Sequence, residues 1–191
     1  MTPGVAAAAF AVGVVLVVAM FLVFAAYNDV VALERRVDKA WANVDVVLKQ
    51  RWDELPNLVA AVRGVMRFEE DVLANVTRLR AAYAPEAAVR DQAATSQATT
   101  SAVRQLLAVV ERYPALRSAA NVLEMQHEIE RLENLITDRR ELYNDQVYRL
   151  NARIGQVPAV WLAGVFGWQP RPSFTTAAEP TVREPTKVAL G

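Results

Sequence analysis

The sequence has 191 residues, enough for one ordinary domain and an extra segment, and its 21 basic residues balance 21 acidic ones. A net charge of zero argues against a general nucleic-acid binder, which needs a basic surplus to release counterions from phosphates. The sequence has no cysteine and a single histidine, His127, which excludes disulfides, thiolate metal sites and schemes that need two imidazoles. The charges are unevenly placed, because none occurs between Met1 and Asn28.

The N-terminal segment, residues 1–28, is predicted to be a transmembrane anchor. Val5 to Ala26 form an uncharged apolar run of 22 residues. As a helix this run would be about 33 Å long, enough for a hydrocarbon core of about 30 Å. A cleaved signal peptide is the alternative, but it would have a basic start and a shorter apolar run. We therefore expect a retained, single-pass helix that contacts the lipid bilayer.

Basic residues predict the orientation of this anchor. Arg35, Arg36 and Lys39 follow the apolar run, whereas no basic residue precedes it. Cytoplasmic flanks of transmembrane helices carry an excess of Lys and Arg. We therefore expect the N-terminus outside and the following domain in the cytoplasm.

Residues 29–157 are predicted to form an all-α domain, an antiparallel four-helix bundle. Glycine is absent between Gly64 and Gly155, and apolar residues recur at helical steps of three and four. Four prolines are candidate helix boundaries: Pro56, Pro85, Pro114 and Pro158. Two stripes consist of Leu33, Val37, Trp41, Val44 and Leu48, and of Leu55, Val59, Val62, Met66, Leu73 and Val76. The clearest stripe consists of Ile129, Leu132, Ile136, Tyr143, Val147, Leu150, Ile154 and Val157.

Two features of this domain are ambiguous. The first stripes run in phase from Leu33 to Tyr83, which fits one long helix kinked at Pro56 or two helices joined by a turn at Trp52–Pro56 with Asp53 as N-cap. We expect the turn, because a 50-residue amphipathic helix would lack partners along much of its length. The segment from Pro85 to Arg112 is less clearly periodic, since its residues 92–101 (QAATSQATTS) are small and polar, but its alanines favour a helix.

The C-terminal part is predicted to contain an apolar segment, residues 158–174, and a disordered tail, residues 175–191. Residues 158–168 (PAVWLAGVFGW) are too few to span a bilayer. They could cap one end of the bundle, or Trp161, Phe166 and Trp168 could touch the membrane interface. From Gln169 onward the sequence has four prolines and little apolar content, which is typical of disorder.

The sequence predicts no catalytic residue, cofactor or metal site. Glu124 and His127 have the spacing of a di-iron bundle motif, but that site needs the motif on two helices, and the chain has one histidine. No glycine-rich loop follows a strand, and no serine stands in a nucleophile elbow. We therefore expect a protein that is not an enzyme.

Charged residues within the apolar stripes are candidates for a structural role. Arg140 lies between Ile136 and Tyr143, and Glu69 lies between Met66 and Leu73. Long side chains at the edge of a stripe can extend to solvent, whereas buried ones form ion pairs that specify helix register. We hypothesise that Arg140 pairs with one of three carboxylates: Glu69, Asp45 or Glu111.

Several motifs resemble the LemA family, over roughly residues 27–174. The N-terminal ones are Tyr27-Asn28, Val37-Asp38-x-Ala40-Trp41-Ala42-Asn43-Val44-Asp45, Leu48-Lys49-x-Arg51 and Leu55-Pro56-Asn57-Leu58-Val59. Later ones are Glu111-x-Tyr113-Pro114-x-Leu116, Asn121, Glu133-Asn134-x-Ile136, Arg140, Tyr143-Asn144-x-x-Val147 and Asn151-x-x-Ile154. The last are Pro158, Ala163-x-x-Phe166-Gly167 and Pro172-x-Phe174.

This resemblance implies a bacterial membrane protein with an N-terminal transmembrane helix and an antiparallel four-helix bundle, and it implies no reaction. Related bundles are connected with the biogenesis of membrane compartments. Our leading hypothesis is a scaffold or adaptor of the cell envelope that binds other proteins or itself and no nucleic acid. A membrane-remodelling factor is the alternative, and an enzyme that uses carboxylates and His127 is a third possibility.

Overall fold

The structure, a computed structural model, describes residues 3–63 and 70–175. Within those ranges the chain is all-α, as predicted, and contains no strand. The helices are α1 (Pro3–Arg63), α2 (Glu70–Ala81), α3 (Val89–Val110), α4 (Pro114–Arg117), α5 (Ala120–Ile154) and α6 (Ala159–Phe166). The predicted tail lies outside the described residues, except for Thr175.

Helix α1 is the one described helix that is long and apolar enough to cross a membrane. Its most apolar window has a mean hydropathy of 2.9, and no part of that window is buried in the protein. The apolar side chains from Phe10 to Phe24 are exposed, unlike those of a core helix of a soluble protein. The length and apolar composition of the first part of α1 thus agree with the predicted transmembrane anchor.

The described residues form two compact units, and each has its own core. One unit contains α1 up to Ala40 together with residues 144–171. Its buried residues come from α1, α5, α6 and the segment after α6, and include Val30, Val147, Leu150, Ala159 and Trp168.

The other unit contains residues 41–143 and the segment that begins at Pro172. Its core includes Val44, Leu48, Leu55, Leu58, Leu106, Ile129, Leu132 and Phe174. The aromatic ring of Trp41 packs against those of Tyr143 and Phe174 at centroid distances of 5.3 and 6.0 Å. The hydroxyl of Tyr143 also donates a hydrogen bond to the carbonyl of Pro172, at 2.9 Å, which holds the C-terminal segment in this unit.

The predicted turn at Pro56 is wrong, because Pro56 lies inside α1 and Asp53 is not an N-cap. A proline within a helix removes one backbone hydrogen bond, at a cost of about 3 kcal/mol. The apolar stripe, however, continues on both sides of Pro56, and Leu55, Leu58 and Val62 are fully buried. Each buried leucine contributes about 1.5–3 kcal/mol, so packing outweighs the lost hydrogen bond.

The other proline boundaries are confirmed. Pro85 lies between α2 and α3, Pro114 is in the first turn of α4, and Pro158 caps α6. The segment with the weakest periodicity is the helix α3. Three of its polar residues, Gln92, Ser96 and Thr99, are buried rather than exposed to solvent.

Replacing Pro56 with alanine is expected to raise the free energy of unfolding by about 1–2 kcal/mol, because the carbonyl of Trp52 regains a helical donor. Pro114→Ala is the matched control, since a proline at the start of a helix interrupts no hydrogen bond. Far-ultraviolet circular dichroism of the detergent-solubilised full-length protein would measure both melting curves. Equal effects of the two changes would contradict this interpretation.

Candidate functional site

The most unusual side chain of the described residues is Arg51, a fully buried arginine on α1. Its Nη1 donates to Glu133 Oε1 at 2.8 Å and to Thr100 Oγ1 at 2.9 Å. Its Nη2 donates to Ser96 Oγ at 2.9 Å and to the Ser96 carbonyl at 3.3 Å. One guanidinium therefore joins α1 to α3 and α5.

Glu133 balances the charge of this arginine. Its second oxygen, Oε2, accepts a hydrogen bond from Thr100 Oγ1 at 2.7 Å, so both carboxylate oxygens are bonded. The side chain of Glu133 is 24 % exposed, whereas that of Arg51 is 0 % exposed. Burial lowers the pKa of Arg51, while the charge of Glu133 and its hydrogen bond raise that pKa. The guanidinium remains charged, because arginine does not lose its proton in proteins.

An aromatic pair lies beside this network. The Cζ atom of Arg51 is 5.6 Å from the centre of the Trp52 ring, a cation–π distance, and Trp52 stacks on Tyr83 at 5.1 Å. The hydroxyl of Tyr83 donates to Asp45 Oδ1 at 3.0 Å. Burial, that hydrogen bond and the negative charges of Asp45 and Asp53 raise the pKa of Tyr83 to about 12.

A groove between α3 and α5 opens next to the network. It has a volume of about 460 Å³, and Thr100 and Glu133 belong to its lining. Its apolar part is formed by Val103, Leu107 and Ile129. Besides Glu133, three charged residues line it, carry both signs and are exposed: Arg104, Glu111 and Glu130.

The polar groups of the network beside the groove are already paired. The terminal nitrogens of Arg51 and the carboxylate of Glu133 bind each other and α3. Within residues 3–63 and 70–175, no group of three or more His, Asp and Glu side chains could hold a metal ion.

The predicted structural residues lie at different places. Arg140 is half-buried on α5, Asp45 accepts the bond from Tyr83, and Glu111 lines the groove. Glu69 lies outside the described residues. The hypothesis that Arg140 pairs with one of these carboxylates stays a prediction.

Sequence reasoning missed Arg51, although a signal was present. Arg51 stands three residues after Leu48 and four before Leu55, inside the apolar stripe. A second signal was the polar part of α3, because Ser96 and Thr100 there bind the guanidinium. A buried charge requires such partners.

The three predicted interface aromatics differ in exposure. Trp161 is 72 % exposed and Phe166 is also exposed, whereas Trp168 is 8 % exposed. The rings of Phe166 and Trp168 pack on Tyr27 at centroid distances of 5.1 and 6.1 Å. Gly167 ends α6 with a φ of 70°, and this left-handed conformation returns the chain so that Trp168 reaches Tyr27.

Comparison with known proteins places this site within one family. The model of the LemA family matches residues 40–190, most of the chain, and that range includes Arg51, Glu133 and the groove. No curated protein matches the chain.

Replacing Glu133 with alanine is expected to lower the free energy of unfolding by about 3 kcal/mol, because it leaves the Arg51 guanidinium buried without a counter-charge. The double variant R51M/E133L is expected to recover much of that loss, since it removes both charges. Glu128→Ala is the control, because Glu128 pairs with Arg131 on the exposed face of the same helix. Chemical denaturation would measure the free energy of unfolding of each variant. Equal decreases for Glu133→Ala and Glu128→Ala would contradict a stabilising role of the buried Arg51–Glu133 pair.

Tyr83 is expected to make stability depend on pH in the alkaline range. Its pKa is about 12 in the folded protein and about 10 when unfolded, so the neutral phenol favours folding. This contribution is complete below pH 10 and is lost as the pH rises to about 12. Phenolate formation would be followed by near-ultraviolet absorbance during an alkaline titration. Tyr83→Phe should remove the component that titrates at the highest pH. Tyr148→Phe, the control, should keep that component, because Tyr148 is exposed in the wild-type protein. An unchanged titration in Tyr83→Phe would refute the assignment.

Proposed function

The chain belongs to the LemA family, and we propose that it is a membrane-anchored helical scaffold or adaptor, which holds other proteins or further copies of itself at a bilayer. One observation carries this proposal: α1 continues from an exposed, uncharged half into a half whose apolar face is buried in a helical core. Because one helix contains both the proposed membrane anchor and part of the core of the helical domain, the domain would be held close to the bilayer. Such an arrangement suits a protein that binds partners at a membrane.

The architecture that we propose for the residues after the anchor is an antiparallel four-helix bundle. Two contacts support the antiparallel direction of α1 and α5: Trp41 meets Tyr143, and Arg51, ten residues later, meets Glu133, ten residues earlier. The hydrogen bonds from Arg51 to Ser96 and Thr100 support α3 as a neighbour of both.

We propose that the N-terminus lies outside and that the helical domain lies in the cytoplasm of a bacterial cell. The support is the basic group Arg35, Arg36 and Lys39, whose side chains are exposed on α1 shortly after the apolar run. Confinement to a membrane raises the effective concentration of any partner in the same bilayer. Modest affinity in the groove would then suffice for assembly.

The groove between α3 and α5 is the surface that we propose for the partner. Its accessible apolar residues Leu107 and Ala108 would contact the apolar side of a helix, and Arg104 and Glu130 would meet opposite charges at its edges. No reaction is part of the proposal, since His127 is exposed and does not line the groove.

Membrane remodelling is a second candidate function, and one observation favours it. Trp161 and Val165 of α6 are large apolar side chains that are exposed. Remodelling predicts that purified protein at high density narrows or tubulates vesicles in electron micrographs. Vesicles of unchanged shape would leave the scaffold as the better proposal.

The scaffold proposal is tested by site-specific photocrosslinking in membranes. A photoreactive amino acid at Arg104 or Glu130 is expected to give discrete crosslinked species, which mass spectrometry identifies as a defined protein or a second copy. Gln105 and Glu124 are the controls, because they are exposed on the same two helices but do not line the groove.

The same experiment has an outcome that contradicts the proposal. If groove and control positions give equal crosslinks, or none, and the full-length protein stays monomeric in mild detergent, the groove is not a docking surface. Leu107→Glu should abolish the groove crosslinks and leave the helical content unchanged.

A further inference from the structure

A second uncharged segment, besides the anchor, lies near the C-terminal end of the described residues. No charged residue occurs from Ile154 to Pro170, so the segment is bounded by Arg153 and Arg171. It contains the short helix α6 and the residues on either side of it. At 17 residues it is longer than the next uncharged run outside the anchor, residues 92–103, which has 12 residues.

Several large apolar side chains of this segment are exposed, whereas those of a soluble helix are mostly buried. Val157, Trp161 and Val165, spaced four residues apart, are 60 %, 72 % and 78 % exposed. On the inner side Ala159 and Trp168 are buried. The three exposed residues therefore form an outer row along α6 and the turn before it.

The aromatic contacts set the position of this segment along α1. Phe166 and Trp168 pack on Tyr27, the residue that directly follows the apolar run. If that run spans the hydrocarbon core, Tyr27 lies at the membrane interface, where tyrosine and tryptophan are enriched. The segment is therefore held at the same depth as the interface.

Polar contacts hold both ends of the segment to its neighbours. Arg153 Nε donates a hydrogen bond to Oδ2 of Asp29 at 2.6 Å, and Asp29 lies two residues after Tyr27 in α1. Arg171 forms an ion pair with Asp38 at 3.6 Å, and its backbone N–H and carbonyl bond the side chain of Asn151. These contacts fix both ends of the segment beside α1, while Val157, Trp161 and Val165 remain exposed.

We propose that this outer row is a bilayer-docking surface, on which α6 lies in the interface of the membrane that α1 spans. The inference rests on the proposed membrane anchor. Lipid is the occupant that the observations favour, because Phe166, which follows Val165 of the row and is itself exposed, packs on Tyr27 directly after the exposed apolar run of α1. A tryptophan with no charged neighbour in its segment also suits the interface. Docking would restrict the tilt and rotation of α1 in the bilayer.

The absence of cysteine from the chain makes a direct test possible. Single-cysteine variants of the full-length protein would carry an environment-sensitive fluorophore in proteoliposomes of phosphatidylcholine with brominated acyl chains. The test position is Val165→Cys. Val46→Cys is the control, because Val46 is an exposed valine further along α1. Leu16→Cys, within the apolar run, reports on the anchor itself.

Docking predicts that brominated lipid quenches the label at position 165 several-fold more than the label at position 46. Iodide in the aqueous phase should quench the label at position 46 more than the label at position 165. Trp161→Glu should bring the label at 165 to the level of the control, whereas Trp161→Phe should retain the quenching. Because Trp161 is exposed, neither change should reduce helical content.

Three results would overturn the inference, and they are distinguishable. If position 16 is quenched by lipid but position 165 is not, the anchor stands and docking is wrong. Protection of position 165 from both quenchers would mean that a protein surface covers α6. If position 16 escapes lipid as well, the proposed anchor itself fails.

Discussion

The buried charge of Arg51 is the constraint on which the core around it depends. A guanidinium without water must have an anion and hydrogen-bond acceptors, and only Glu133 together with Ser96 and Thr100 supply them in the described structure. Three helices must therefore meet at this point in one register. The small side chains of α3 let the guanidinium approach the backbone, as its contact with the Ser96 carbonyl shows.

The features that could be predicted from the sequence are those that depend on neighbours in the chain. Helical periodicity identified buried residues such as Val44, Leu132 and Leu150, because residues three and four apart share a face whatever that face contacts. The turn at Pro56 was a local inference too, and it failed because packing over several turns of helix outweighs one missing hydrogen bond.

The site itself could not be predicted in the same way. Arg51 and Glu133 are 82 residues apart, and no local rule pairs two charges at that separation. The stripe argument selected Arg140 and Glu69 because each interrupts an apolar row, yet Arg51 does the same between Leu48 and Leu55. Arg51 differs because Ser96, Thr100 and Glu133 bind its guanidinium, and these residues come close to it only in the folded chain. The outer row of α6 is similar, since its exposure depends on Trp168 folding back to Tyr27.

The contact of Asp29 with Arg153 has a consequence for the order of events during synthesis. These partners are 124 residues apart, which a ribosome translating about 5–20 residues per second takes about 6–25 s to cover. The apolar run is made first, long before Arg153 or Trp168 exists. If this run anchors the chain as we propose, it can enter the bilayer before the unit around Tyr27 is complete.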